Sequence, residues 1–293
     1  MPLVKAFAVG EGDTTYIVHG SDNFTIIDCC IKEHNKETIL SELREAGKGK
    51  GVRRFISTHP DEDHFGGIQF LDDDNPISNF YVVKNQASKT VETESFKRYC
   101  NLRDGKKAYY ISKGCSRKWM NQVNDVRGSS GIDIHWPDLK NEHFKAALAD
   151  AKAETSYNNL SAVIRYAIKN GPSFMWLGDL ETRFMEDIEN DISLPETTVV
   201  FASHHGRESG KIPNSWLEKL KPKIVIIGEA RSRHLNYYTG YSTITQNRAG
   251  DVTMDCVDKR IDFYVGKENY GKRDWLDDEG RSEYPNYIGT LNL

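Results

Sequence analysis

Between His59 and His64 the chain places two histidines and two aspartates in six positions, "HPDEDH". In extended or tightly turning backbone, residues two apart share a face. His59, Asp61 and Asp63 can therefore point together, and His64 adds a second direction if the chain turns there. Imidazole and carboxylate donors together suit zinc, manganese or iron. The plainer alternative is a solvated acidic turn in which an aspartate caps a helix. Two features favour ligation. The motif follows the apolar run "FIST", and Gly66-Gly67 then lets the backbone turn tightly. Ligand-type residues also recur after two later apolar runs: Asp179 after "FMWLG", and His204-His205 after "VVFAS". Once Asp179 and one later histidine join, the donors exceed the needs of one tetrahedral ion, so two ions bridged by a carboxylate or a hydroxide are expected.

Such residues need rigid elements behind them, and strand ends are suitable places. β-Branched runs "TTYIVHG" and "NFTIIDCC" flank "GSDN" as a hairpin. Ile39, Leu40, Leu43 and Ala46 are spaced as one helix face. "VRRFIST" reads as a strand that runs into the histidine motif. "NLSAVIRYAI" and "PSFMWLGDL" read as paired strands, "TTVVFASHHG" as a strand ending in two histidines, and "IVIIGEA" as a buried strand. A late hairpin turns at Asp258 and Lys259. The order fits mixed sheets with outer helices better than a purely parallel α/β wind. Residues 1–265 are expected to form the main domain, with an insertion at about 83–130, and residues 266–293 a tail packed on it or extending from it.

The chain has 293 residues, 38% of them hydrophobic, and a net charge of −4. This allows a sizeable core and argues against a surface coated in basic charge for nucleic acid. The five cysteines form no CxxC pair, so neither a disulfide framework nor a thiolate zinc site is expected. No apolar run approaches the roughly 18 residues of a membrane helix, and no signal peptide is evident. A cytoplasmic protein with no membrane contact is expected; its oligomeric state is open.

"STHPDEDHFGG" resembles the first metal motif of the metallo-β-lactamase superfamily, in the variant with aspartate as the second ligand, here Asp61. That variant is typical of ComEC/Rec2-like metallohydrolases. "VGEGDTTYIV", "TIIDCC", "NNLSAVI", "FMWLGDLE" and "ASHHG" resemble further landmarks of the family in its order, over residues 4 to about 230. The resemblance implies an α/β fold, an αββα sandwich of two mixed β-sheets flanked by helices, with two divalent ions (zinc or manganese) at one edge. It implies that His59 and Asp61 bind one ion, that Asp63 and His64 bind the other, and that Asp179 bridges them. His205 would complete the second site and His204 would face substrate as acid or oxyanion donor, although the two could exchange roles. Asn158 or Asn159 occupies the place where the superfamily often has a histidine. The family's GHP segment is replaced by "EARSRHLNYYTGYS", in which His234 is the nearby histidine.

The implied activity is a metal-dependent hydrolase that uses a metal-activated hydroxide, with Asp63 orienting it or taking its proton. The carboxylate-rich motif leans towards a phosphodiesterase or nuclease. Basic residues interleaved with aromatics, Lys106 to Trp119 and Arg231 and Arg233 near Tyr237 and Tyr238, could hold a single strand or nucleotide. Lysine-rich loops are also simply soluble surface. Asn158, Asn159, Arg231, Arg233 and His234 are the candidate substrate contacts. Alternatives are a lactone or amide hydrolase of the same fold, or a non-catalytic binding module. A companion protein could supply specificity.

Overall fold

The computed structural model describes residues 1–231 and 236–293. The N-terminal part forms β1 (Leu3–Ala6), β2 (Thr15–Val18), β3 (Asn23–Ile27), α1 (Lys36–Ala46), β4 (Val52–Ser57), α2 (Glu62–Phe65), α3 (Ile68–Asp74), β5 (Phe80–Val82), α4 (Glu94–Arg103) and β6 (Ala108–Tyr110). The middle forms β7 (Ile132–Trp136), α5 (Glu142–Lys152), β8 (Val163–Ala167), β9 (Ser173–Trp176), α6 (Thr182–Asp187) and β10 (Val199–Phe201). The remainder forms α7 (Asn214–Leu220), β11 (Ile224–Ile227), β12 (Ser242–Thr245), α8 (Gln246–Ala249), β13 (Val252–Val257), β14 (Arg260–Val265) and β15 (Tyr287–Asn292).

These strands make two mixed sheets. The first runs β15-β14-β13-β1-β2-β3-β4-β5-β6. It is antiparallel from β15 to β3 and parallel from β3 to β6. The second runs β12-β11-β10-β9-β8-β7, parallel from β12 to β9 and antiparallel from there to β7. Helices flank both sheets, so the fold is the expected α/β sandwich.

The two-residue side-chain period of a strand sorts the core into two layers. Ile27, Ile56 and Tyr81 join one apolar cluster, which also holds Ile164, Met175 and Val200 of the second sheet. Their chain neighbours Ile26, Phe55 and Phe80 join the other cluster, with Leu40 and Leu43 of α1, Leu71 of α3 and Tyr99 of α4. On the second sheet, Phe144 of α5 and Phe184 of α6 pack edge-on against Trp136 of β7. α1 buries Ile39, Leu40 and Leu43, as its spacing predicts, with Glu37 in its first turn and Arg44 in its last, where each charge suits the helix dipole.

Two segments add edge strands to the first sheet. The stretch around residues 83–130 adds α4 and the edge strand β6 to the first sheet. It is pinned there by Arg54, 2% exposed, which donates to Thr25 Oγ1, Asn23 Oδ1 and the Trp119 carbonyl at 3.0, 2.6 and 2.9 Å. Its aromatic faces are engaged by the chain's own cations. Arg117 lies 4.2 Å from the Tyr109 ring and 5.0 Å from Tyr81, and Lys118 and Arg127 lie over Trp119. Tyr110, by contrast, stays 43% exposed, with Lys84 over its ring.

The C-terminal segment supplies β15, which pairs along β14. Thr290 Oγ1 donates to Asp262 Oδ1 at 2.6 Å, and Asp262 is only 1% exposed. Sequence reading missed β15 because its polar, glycine-containing run lacks a strong period. Thr290→Val keeps the shape but removes that donor from a buried carboxylate. The variant is expected to lose about 1–3 kcal/mol, read from urea unfolding. An unchanged midpoint would mean that the bond contributes nothing.

Candidate metal centre

Five strand ends converge at one edge of the sandwich. Asp13 precedes β2, Asp28 follows β3, and Thr58-His59 follows β4. Asp179 follows β9, and His204-His205 follows β10. The sheets are tied together here. Ala162 N–H, just before β8, donates across to the Thr58 carbonyl at 3.0 Å, while within the second sheet His204 N–H donates to the Gly178 carbonyl at 3.0 Å.

Local backbone geometry aims these side chains. Gly178 has φ +54°, and a Cβ there would meet Ser161 Oγ at 2.5 Å. Only glycine lets the chain turn that closely, and Ser161 Oγ then accepts the Asp179 N–H at 2.9 Å. His204 and His205 both occupy the left-handed region, at φ 52° and 55°. Ser203 Oγ supports this turn, 3.1 Å from the Gly178 carbonyl and 2.7 Å from that of Leu180. Strained backbone of this kind clusters at functional sites. The turn buries the His205 ring and leaves His204 13% exposed, so the two adjacent histidines are inequivalent.

The three buried rings share one design. His59 Nδ1 faces Thr58 Oγ1 at 3.1 Å, His64 Nδ1 faces Asp28 Oδ2 at 2.9 Å, and His205 Nδ1 faces Asp13 Oδ1 at 3.2 Å. Asp28 is itself held by the Thr58 N–H and hydroxyl at 2.8 and 2.5 Å. With Nδ1 so engaged, each ring turns Nε2 towards Asp179. His64 Nε2 lies 3.0 Å from Asp179 Oδ1, and the Nε2 atoms of His205 and His59 lie 3.6 and 3.9 Å from Oδ2. Asp63 joins through Oδ2, 3.3 Å from His205 Nε2.

This arrangement fits a divalent cation. His59 Nε2, His64 Nε2 and Asp179 Oδ1 are buried and have no hydrogen-bond partner. Such atoms are rare unless something else satisfies them. The donor separations are near the edge of a tetrahedron with bonds of about 2.1 Å, roughly 3.4 Å. Asp13, His64, Asp179 and His205 offer donor atoms all within 4.8 Å of one another. Asp13 is close enough to ligate, but its Oδ1 rests on His205 Nδ1, which suits it better to orient that ring.

Charge coupling follows the geometry. Burial would raise the Asp179 carboxyl, but the His64 and His205 rings hold it well below the usual range. Burial would lower the two imidazoles; against it, Asp179 and Asp28 hold His64 well above its ordinary value, and Asp179 and Asp13 lift His205 to about 10. Burial, with His64 beside it, pushes His59 down to about 4.

His59, Asp63, His64, Asp179 and His205 are therefore brought together. Asp61 sits at the rim, where its Oδ1 takes the Lys89 ammonium at 3.0 Å and the Glu62 N–H at 2.9 Å. His204 Nε2 lies 3.7 Å from Asp179 Oδ2, with its Nδ1 on Ser209 Oγ at 2.9 Å and its Nε2 also 3.2 Å from Arg207 Nη1. Asn158 and Asn159, both half-buried, donate to Glu181 at 3.4 and 3.0 Å. Arg231 is exposed. Arg233 and His234 lie outside the described residues. Sequence reasoning gave no role to Asp13, Asp28, Thr58 or Ser161. Their signal was polar residues at the ends of apolar runs, but which ring each would meet depends on strand order.

No family model matches the chain. ComE operon protein 3 of Bacillus subtilis (strain 168) is 21% identical over 201 residues, which are 69% of this chain and 23% of that protein. The chain thus matches under a quarter of that relative's length. A crystal structure of a long form RNase Z from yeast aligns at a TM-score of 0.37 and 11% identity, covering 82% of this chain and 40% of that one. The architecture, two mixed sheets flanked by helices, is the one implied by the resemblance to the metallo-β-lactamase superfamily. The similarity to ComE operon protein 3 supports the resemblance to ComEC/Rec2-like metallohydrolases. No helix among the described residues is long and apolar enough to cross a membrane.

Asp28→Asn should weaken binding of zinc or manganese by about 10–100-fold, read by competition with a chelating dye, while circular dichroism stays unchanged. Equal affinity would remove Asp28 from the centre. Metal uptake requires neutral imidazoles, and His64 and His205 both hold protons above their ordinary range. Calorimetric titration at neutral pH should therefore show proton release, falling as pH rises towards the His205 value of about 10. Identical heats in buffers of different ionisation enthalpy would contradict this.

Proposed function

We propose that the protein is a metal-dependent hydrolase of phosphodiester bonds, acting on a nucleic acid or a nucleotide. The observation that carries the reading is the convergence of three buried Nε2 atoms on Asp179 and Asp63, each ring backed by an oxygen on its other nitrogen. A zinc or manganese ion held by these residues supplies Lewis acidity and lowers the pKa of bound water towards about 7.

The chain's own residues then have distinct tasks. His59, His64, Asp179 and His205 are the proposed ligands, with Asp63 at their edge. Burial would raise the Asp63 carboxyl, but the His205 hydrogen bond and the His64 charge hold it below its usual range. It is ionised at neutral pH and can orient the attacking water and accept its proton. Burial keeps His204 low, and so neutral, with Arg207 beside it. Together they face the rim as a hydrogen-bonding and cationic pair for phosphoryl oxygens. Asp13, Asp28 and Thr58 hold the rings in their tautomers.

A companion protein that supplies specificity, and a cytoplasmic setting, are part of this reading. The carboxylate-rich first metal motif, His59 to His64, resembles that of relatives acting on phosphodiesters, which favours that class over lactones or amides.

The purified chain, loaded with manganese or zinc, should cleave bis(p-nitrophenyl) phosphate or single-stranded DNA or RNA, and Asp179→Ala should lower kcat at least about a hundredfold. Turnover of lactones or amides, with no phosphodiester cleaved under any metal, would replace the substrate class.

A further inference from the structure

Lys89 lies on the connection between β5 and α4, and its Nζ is 3.0 Å from Asp61 Oδ1. Its side chain is only 14% exposed. Nζ lies 4.3 Å from the centre of the Tyr157 ring and 5.8 Å from those of Phe65 and Phe96. An ammonium flanked by aromatic faces is held by their negative potential as well as by its carboxylate.

The backbone that carries Lys89 is fixed by contacts that do not involve Asp61. The Tyr157 hydroxyl donates to the Ser88 carbonyl at 2.6 Å, and Ser88 Oγ donates to the Lys152 carbonyl at 3.0 Å. Thr90 donates through its N–H and hydroxyl to Glu154 at 2.7 and 2.6 Å. The Arg103 guanidinium donates to the Ala87 carbonyl at 3.1 Å. Lys89 is thus a built-in cation, unlike a long side chain swinging on the surface.

The other side of Asp61 points the same way. Asn159 donates to Glu181 and its Oδ1, the atom an amide would offer a metal, accepts the Glu181 N–H at 3.1 Å, so this amide is not free to complete a ligand set around His59 and Asp61. Among the described residues, the group whose donor atoms lie within 4.8 Å of one another is Asp13, His64, Asp179 and His205, and Asp61 is outside it, as are His59 and Asp63.

We propose that Lys89 takes the place of the first of the two ions expected from the sequence: its ammonium holds Asp61 out of the ligand set, and the centre keeps one divalent ion among His59, His64, His205 and Asp179, with Asp63 at its edge. The inference rests on the metal-centre reading above. Lys89 neutralises the carboxylate that a second dication would need, and its charge repels that dication. His59 then faces the single ion from the lysine side. The rim carries one fixed positive charge whose protein position does not depend on metal supply.

The experiment is metal stoichiometry on the full chain, by elemental analysis and by titration with Mn²⁺ and Zn²⁺ after chelator treatment. Wild type should take up a single equivalent. Lys89→Met keeps an unbranched stem among the rings but removes the charge, and should admit a second equivalent. Lys89→Arg keeps the charge and should stay at a single equivalent. Asp61→Asn in the natural background should leave the affinity for the retained ion within about threefold, less than the tenfold or greater loss typical of disturbing a ligand's support. Two equivalents of similar affinity in wild type would overturn the lysine proposal and leave the metal centre standing. So would Lys89→Met remaining at a single equivalent, or a tenfold loss in Asp61→Asn. No uptake by wild type at all would sink the metal centre itself.

Discussion

Asp179 carries a carboxylate into the edge of an apolar sandwich, where it is 2% exposed. Water cannot solvate it there, and an unpaired charge in that position would be strongly unfavourable. Three imidazoles converge on it, and much of the fold can be understood as the means of holding them. Each ring must keep Nε2 turned inward, so each needs an oxygen at Nδ1. Those oxygens come from Thr58, Asp28 and Asp13, which sit at three different strand ends. Removing any one frees a ring to rotate and leaves Asp179 with less countercharge.

The constraint reaches into the backbone. Rings from both sheets can meet only if the chain turns sharply at the strand ends. Gly178 and the left-handed pair His204-His205 make those turns, and the backbone bond from Ala162 to Thr58 ties one sheet to the other. Such conformations persist because the surrounding packing over-determines them. Apolar clusters on either side of the first sheet supply that packing. A rim of mixed charge follows outside the cage, with Lys89 on Asp61 and Arg207 between His204 and Glu11.

Much of the fold was legible. The hairpins β2-β3, β8-β9 and β13-β14, helix α1 and the strands leading to His59, Asp179 and His205 were readable because side-chain period and turn residues are local properties. β6, β12 and β15 were not. They are short edge strands whose identity depends on a neighbour that already offers free backbone groups. In the site, the inward-facing residues were legible as ligand types at strand ends. The partners of Asn158, Asn159 and Asp61, which are Glu181 or Lys89, were not legible because they lie 22 to 28 positions away in sequence. The aromatic insertion was read as a stacking surface, but its rings meet the chain's own arginines and lysines.

The sequence alone determined the chemistry at hand: histidines and aspartates at the ends of apolar runs, in an order that resembles a known superfamily. Residue type and local spacing are enough for that. Tertiary structure decided which of two adjacent histidines is buried, which carboxylates back a ring and which face the centre, and that Asp61 has a lysine beside it. These are questions of distance between residues remote in the chain, from Asp13 to His205. Strand order and backbone turns set such distances, and no local pattern encodes them.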